Sequence, residues 1–143
     1  MHAPSPWSPW RALRDLPRVH LAFSRLPAGV WGVTDGQRIW LHERLTQAER
    51  RSTLAHELAH LDLGHVGCQP PAEEERARAR AAARLLPDLD VVAEVLAWSH
   101  TLAEAADELW VDEDTLRARL ERLTGEERAA VEGRIERGSQ WGT

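Results

Sequence analysis

Residues 46–65 read TQAERRSTLAHELAHLDLGH, and this stretch decides the fold. Leu54, Leu58 and Leu61, with Ala55 and Ala59, recur at helical spacing, so the segment is expected to be an amphipathic helix with its leucines in the core. Thr46 is placed to cap its first turn, Glu49 completes a capping box three residues on, and Gly64 stops it after about Leu63. His56 and His60 stand four apart on this helix, roughly 40° around the axis and one turn along it. That spacing brings both imidazoles to one ion at the roughly 2.0–2.1 Å that zinc requires. Glu57 is rotated away from the ligand direction but can reach a water bound in the ion's open position, which is the geometry of a general base. The bland alternative is a chance motif in an alanine-rich helix, with histidines making ordinary hydrogen bonds. The capped helix, the core leucines and the glycine stop favour the metal.

A catalytic zinc takes three protein ligands and leaves one position open. His65 lies about 180° around a continuous helix from His56, so it reaches the ion only if the helix breaks at Gly64. Otherwise it supports the site from outside the ligand set, faces the oxyanion, or stands as a cation at the helix C-terminus. Glu73, Glu74 and Glu75 are better placed, at the start of an expected helix from Ala72 to Leu86 that Pro87 ends. Counting back along a buried stripe through Leu86, Ala82 or Ala83, and Ala79 reaches Glu75 as the inward carboxylate. Glu74 is the second choice and Glu73 the third, and all three glutamates also favour the positive end of a helix dipole. The expected site is thus Zn2+ on His56, His60 and Glu75, with Glu57 catalytic.

Upstream, Val19 to Phe23 and Val30 to Thr34 read as strands, and Asp35-Gly36 is a hairpin signal leading into a third, Gln37 to His42. A short antiparallel sheet packed on the motif helix gives an α+β, zincin-like domain over residues 17–100. Residues 1–16, rich in proline with Trp7 and Trp10, read as an irregular lead-in, and 138–143 as a frayed tail. Asp88 to Trp98 is a further amphipathic helix.

The chain has 143 residues and a net charge of -5, with 18 basic residues that are all arginine. This size fits one core, and this charge argues against a general affinity for nucleic acid or anionic membrane. No apolar run approaches the roughly 20 residues needed to span a bilayer. With Cys68 as the single cysteine and no signal-like N-terminus, the expected compartment is the cytoplasm.

The run His56-Glu57-Leu58-Ala59-His60-Leu61-Asp62-Leu63-Gly64-His65, then a glutamate-rich helix start and Ala81-Ala82-Ala83-Arg84-Leu85-Leu86-Pro87, resembles the ImmA/IrrE family of metallo-endopeptidases. The resemblance covers about residues 17–100 and extends to the order of elements. It implies His56, His60 and a glutamate of the following helix as ligands, with Glu57 catalytic. The family places a Glu-Ala pair 11 residues before the proline, where this chain has Arg76, with Glu75 one residue earlier. The resemblance also implies a protein substrate, a transcriptional repressor of the helix-turn-helix type, often in phages and mobile elements.

Residues 101–137 form a helical, helix-turn-helix-like extension, with Ala106 at the helix crossing, Leu116 holding the second helix, and Trp110 where a turn glycine is usual. Its second helix opens with Asp112, Glu113 and Asp114, which repel phosphate, so a helical pair that packs on the core or docks protein is favoured over a DNA reader. Two functions compete: a zinc endopeptidase, and a non-catalytic module that keeps the metal-bound fold to bind protein or to act beside DNA. The chain has no tyrosine, so an oxyanion would fall to His65, an arginine or a backbone N–H.

Overall fold

The computed structural model describes residues 7–141, with side chains through Gly138. It is an α+β fold in which three strands and seven helices follow in the order α1 (Pro9–Arg14), β1 (His20–Ser24), β2 (Gly32–Thr34), β3 (Arg38–His42), α2 (Gln47–Asp62), α3 (Pro71–Leu85), α4 (Leu89–Trp98), α5 (Leu102–Glu108), α6 (Glu113–Glu121) and α7 (Gly125–Trp141). Part of the expected lead-in is therefore helical. Ser8 caps α1, its hydroxyl accepting from Arg11 N, and Pro9 takes the first helical position, where its fixed φ costs nothing. Residues 1–6 lie outside the described residues. Of the expected frayed tail, 138–141 lie in α7, which runs through Trp141, and 142–143 lie outside the described residues.

The sheet is mixed, where a wholly antiparallel one was expected, and its strand order is β1-β3-β2. The hairpin joins β2 and β3 antiparallel, with Thr34 opposite Ile39, whereas β1 pairs parallel with β3, Leu21 opposite Ile39. Side-chain burial explains the order: Ile39 and Leu41 on β3 are both completely buried, so β3 takes the centre and β1 its far edge. Asp35 fixes the hairpin, its carboxylate accepting from the backbone N–H groups of Gln37 and Arg38.

The motif helix α2 starts where the sequence indicates, with the reciprocal Thr46–Glu49 capping box in place. It lies between two apolar clusters. Leu54 and Leu58 face the sheet with Ile39, Leu41 and Leu45. Ala55 and Ala59 face the helices, packed with Ala77, Ala81 and Leu85 of α3 and with Leu116 of α6. Alanine against alanine lets two helices approach closely, so α3 lies tight against the face of α2 that carries the histidines. The helices after residue 101 share this core through Ala105, Ala106, Val111 and Leu116. They are also bonded to the motif helix: Arg51 Nη1 donates to the Trp110 carbonyl at 2.8 Å and Asp112 N donates to Ser52 Oγ at 2.9 Å. Trp110, at the corner between α5 and α6, has φ of 61°, a left-handed conformation that explains why glycine is usual there.

Candidate metal centre

Four residues of α2 and α3 build the centre. His56 and His60 project from successive turns of α2, and their Nε2 atoms lie 3.1 Å apart. The first turn of α3 brings Glu74 over both: its Oε2 lies 3.4 Å from His56 Nε2 and 3.2 Å from His60 Nε2. Glu57 sits between the histidines, and ligand-type atoms of His56, Glu57 and His60 all lie within 4.8 Å of one another. These side chains line a cleft of about 380 Å³ with Trp31 and Gly32 on the β2 side and Arg78, Asp112 and Asp114 on the α3–α6 side.

The three glutamates that open α3 point in three directions, as consecutive helical residues must at about 100° per residue. Glu73 Oε2 lies 3.1 Å from His65 Nε2. Glu74 meets the two motif histidines. Glu75 does not: its carboxylate accepts from Arg78 Nη1 at 3.2 Å and from Arg122 Nη2 at 3.5 Å. The count that favoured Glu75 began at Leu86, and Leu86 lies beyond the end of α3, with φ of -129° and ψ of 61°. The buried residues of α3 are Ala77, Ala81, Ala82 and Leu85, and stepping back by three residues from Ala77, the first of them, reaches Glu74.

His65 is brought close by the helix stop. Gly64 adopts φ of 73°, His65 N donates to the His60 carbonyl at 2.9 Å, and Gly64 N donates to the Leu61 carbonyl at 3.1 Å. This is a Schellman cap, and it folds His65 back beneath His60, where a continuous helix would carry it to the opposite side. The two Nδ1 atoms lie 2.9 Å apart, and both residues are buried.

Burial dominates the electrostatics. The Glu57 carboxyl is pushed up to about 8, first by burial and then by the negative charge of Glu74. Its Oε2 is buried without a hydrogen-bond partner among the described residues. Burial, then the neighbouring His56, hold the His60 imidazole below its ordinary value, so it stays neutral with a lone pair to give. Asp114 is held low by its hydrogen bonds to Arg78, while Asp112 is raised by burial.

The Glu57 shift has a consequence for stability. The folded carboxyl keeps its proton up to about 8, and an exposed carboxyl releases it near 4.5, so between these values the folded state binds more protons than the unfolded one. Stability of the metal-free protein is therefore expected to fall as pH rises through this window. Denaturant titrations at the two ends of the window should show Glu57→Gln losing less stability than wild type, by a few kcal/mol at most. Equal losses would remove Glu57 as the cause.

A second expectation concerns Gly32. A Cβ there would lie 2.6 Å from Thr53 Cγ2 and 3.3 Å from Glu57 Cγ, so β2 sits against the motif helix only because this residue is glycine. Gly32→Ala is expected to destabilise by roughly 1–3 kcal/mol, as overpacking does. Adding Thr53→Ser, which removes the offending methyl, should restore much of the loss in thermal unfolding.

A short sheet with an HExxH helix beneath it, and a following helix that adds a carboxylate, define the class as metallopeptidase. A family model, Peptidase_M78 or IrrE N-terminal-like domain, matches residues 14–134. The chain belongs to this metallopeptidase family. No curated protein and no solved structure gave a significant match. Among the described residues no helix is long and apolar enough to cross a membrane.

Proposed function

We propose that the protein is a zinc-dependent endopeptidase of the cytoplasm, with His56, His60 and Glu74 as ligands and Glu57 as general base. One observation carries this reading. The three ligand atoms are separated by 3.1, 3.2 and 3.4 Å. Four atoms arranged tetrahedrally about an ion at about 2.0–2.1 Å are spaced by about 3.3 Å, so these three match three corners of a zinc tetrahedron. Glu57 also lies close enough to be a ligand. We assign it the base because, among the described residues, its Oε2 is the one buried oxygen in the site without a partner. Bound there, zinc would polarise a peptide carbonyl, acidify the attacking water and favour the ionised form of Glu57.

Glu57 takes the proton of the attacking water and returns it to the leaving amine, and its burial keeps that proton within the site. Of the oxyanion donors open on the sequence, His65 has both ring nitrogens engaged, by His60 and Glu73. Arg78 is committed to Asp114, Glu121 and Glu75.

The substrate we propose is a helix-turn-helix repressor, on the strength of the family resemblance. Asp112 and Asp114, at the start of the would-be recognition helix, line the cleft. That placement supports protein docking over DNA binding for the C-terminal helices. Comparing new protein N-termini in cells expressing wild type or Glu57→Gln tests the reading. Termini seen only with wild type, within a repressor-type regulator, are expected; identical sets would overturn it.

A further inference from the structure

We infer that His65 and Glu73 are positioning residues for the metal, acting through His60 as a hydrogen-bonded relay, an inference that rests on the metal-site reading above. The relay runs from His60 Nδ1 to His65 Nδ1 at 2.9 Å and from His65 Nε2 to Glu73 Oε2 at 3.1 Å. Its protons can be placed by elimination. To bind metal through Nε2, a neutral His60 must carry its proton on Nδ1. His65 Nδ1 is then the acceptor, so the proton of His65 lies on Nε2 and is donated to the Glu73 carboxylate. Each nitrogen and each proton has one consistent place. Fixing the tautomer and the ring plane of a ligating histidine in this way raises its basicity and lowers the cost of binding.

Two features of the chain hold the relay in register. The Schellman cap at Gly64 sets His65 under His60 through the bond from His65 N to the His60 carbonyl. Arg76 Nη1 donates to both Glu73 oxygens, at 3.1 and 2.9 Å, and steadies the carboxylate from the solvent side. Adjacent residues of α3 thus divide the work: Glu74 reaches the metal-facing nitrogens, and Glu73 reaches the far end of the chain of rings.

The plain alternative is that His65 is a buried histidine with satisfied hydrogen bonds, important for folding and for nothing else. Metal affinity separates the two. On full-length protein, zinc affinity is measured by chelator competition, and the visible spectrum is recorded after loading with cobalt. His65→Phe and Glu73→Ala are expected to weaken zinc binding by roughly 10–100-fold and to alter the cobalt bands. His65→Asn, whose Oδ1 can accept from His60 Nδ1 but which cannot reach Glu73, should recover affinity to no better than the level of Glu73→Ala. Glu73 lies near the surface, so Glu73→Ala remains informative if His65→Phe fails to fold. Zinc affinities and cobalt spectra unchanged from wild type in folded variants would overturn the relay while leaving the metal site intact. Failure of wild type to bind zinc would overturn the metal reading itself, and the relay with it.

Discussion

Glu74→Ala is expected to strip zinc from the protein, whereas Glu75→Ala should leave it bound. The two residues are neighbours in sequence with the same side chain, so the comparison isolates direction. Zinc binding worth roughly 10–16 kcal/mol over four ligands implies about 3 kcal/mol for one, or ~100-fold in affinity. Glu74→Ala should lose at least that much, because its Oε2 lies 3.4 and 3.2 Å from the Nε2 atoms of His56 and His60. Glu75→Ala should cost only its share of an ion-pair network, one pair within α3 to Arg78 and one to Arg122, which is partly exposed and worth at most about 1 kcal/mol. Metal content after dialysis, beside a thermal unfolding curve for each variant, checks both halves. Zinc retained by Glu74→Ala and lost by Glu75→Ala would reverse the assignment.

Glu57→Gln should abolish turnover while sparing both fold and metal. Removing a general base costs typically about 10²–10⁴ in rate, and the amide cannot take a proton from water. The same substitution replaces a buried carboxyl whose ionised form is disfavoured by burial and by Glu74, so the metal-free variant should be more stable than wild type at about pH 8. Loss of activity with a gain in stability marks a residue kept for chemistry. An inactive variant that is also less stable at that pH would point to a structural role for Glu57.

Much of this was legible in the residues. The capping box, the leucine and alanine spacing and the glycine stop define α2 within a residue or two, because each is a local signal that the helix itself satisfies. The two histidines follow from that helix alone. Which of the three glutamates faces the histidines was not legible, because rotation around α3 depends on where the helix ends, and Leu86 reads as helical although its backbone has already left the helix. The place of His65 stayed open among several for a related reason: extrapolating a helix through Gly64 sends its ring the wrong way, and the left-handed glycine brings it back. The parallel pairing of β1 with β3 is non-local and leaves no local mark. For α1 the mark was present, a serine followed by proline, but obscured by the prolines around it.

An anomalous difference map at the zinc absorption edge, from crystals of the purified protein, tests the centre most directly. The expected result is a single peak about 2 Å from His56 Nε2, His60 Nε2 and Glu74 Oε2, with Glu57 outside the ligand set. No peak at this site in zinc-replete crystals, or a peak ligated by Glu75 or His65 in place of Glu74, would contradict it.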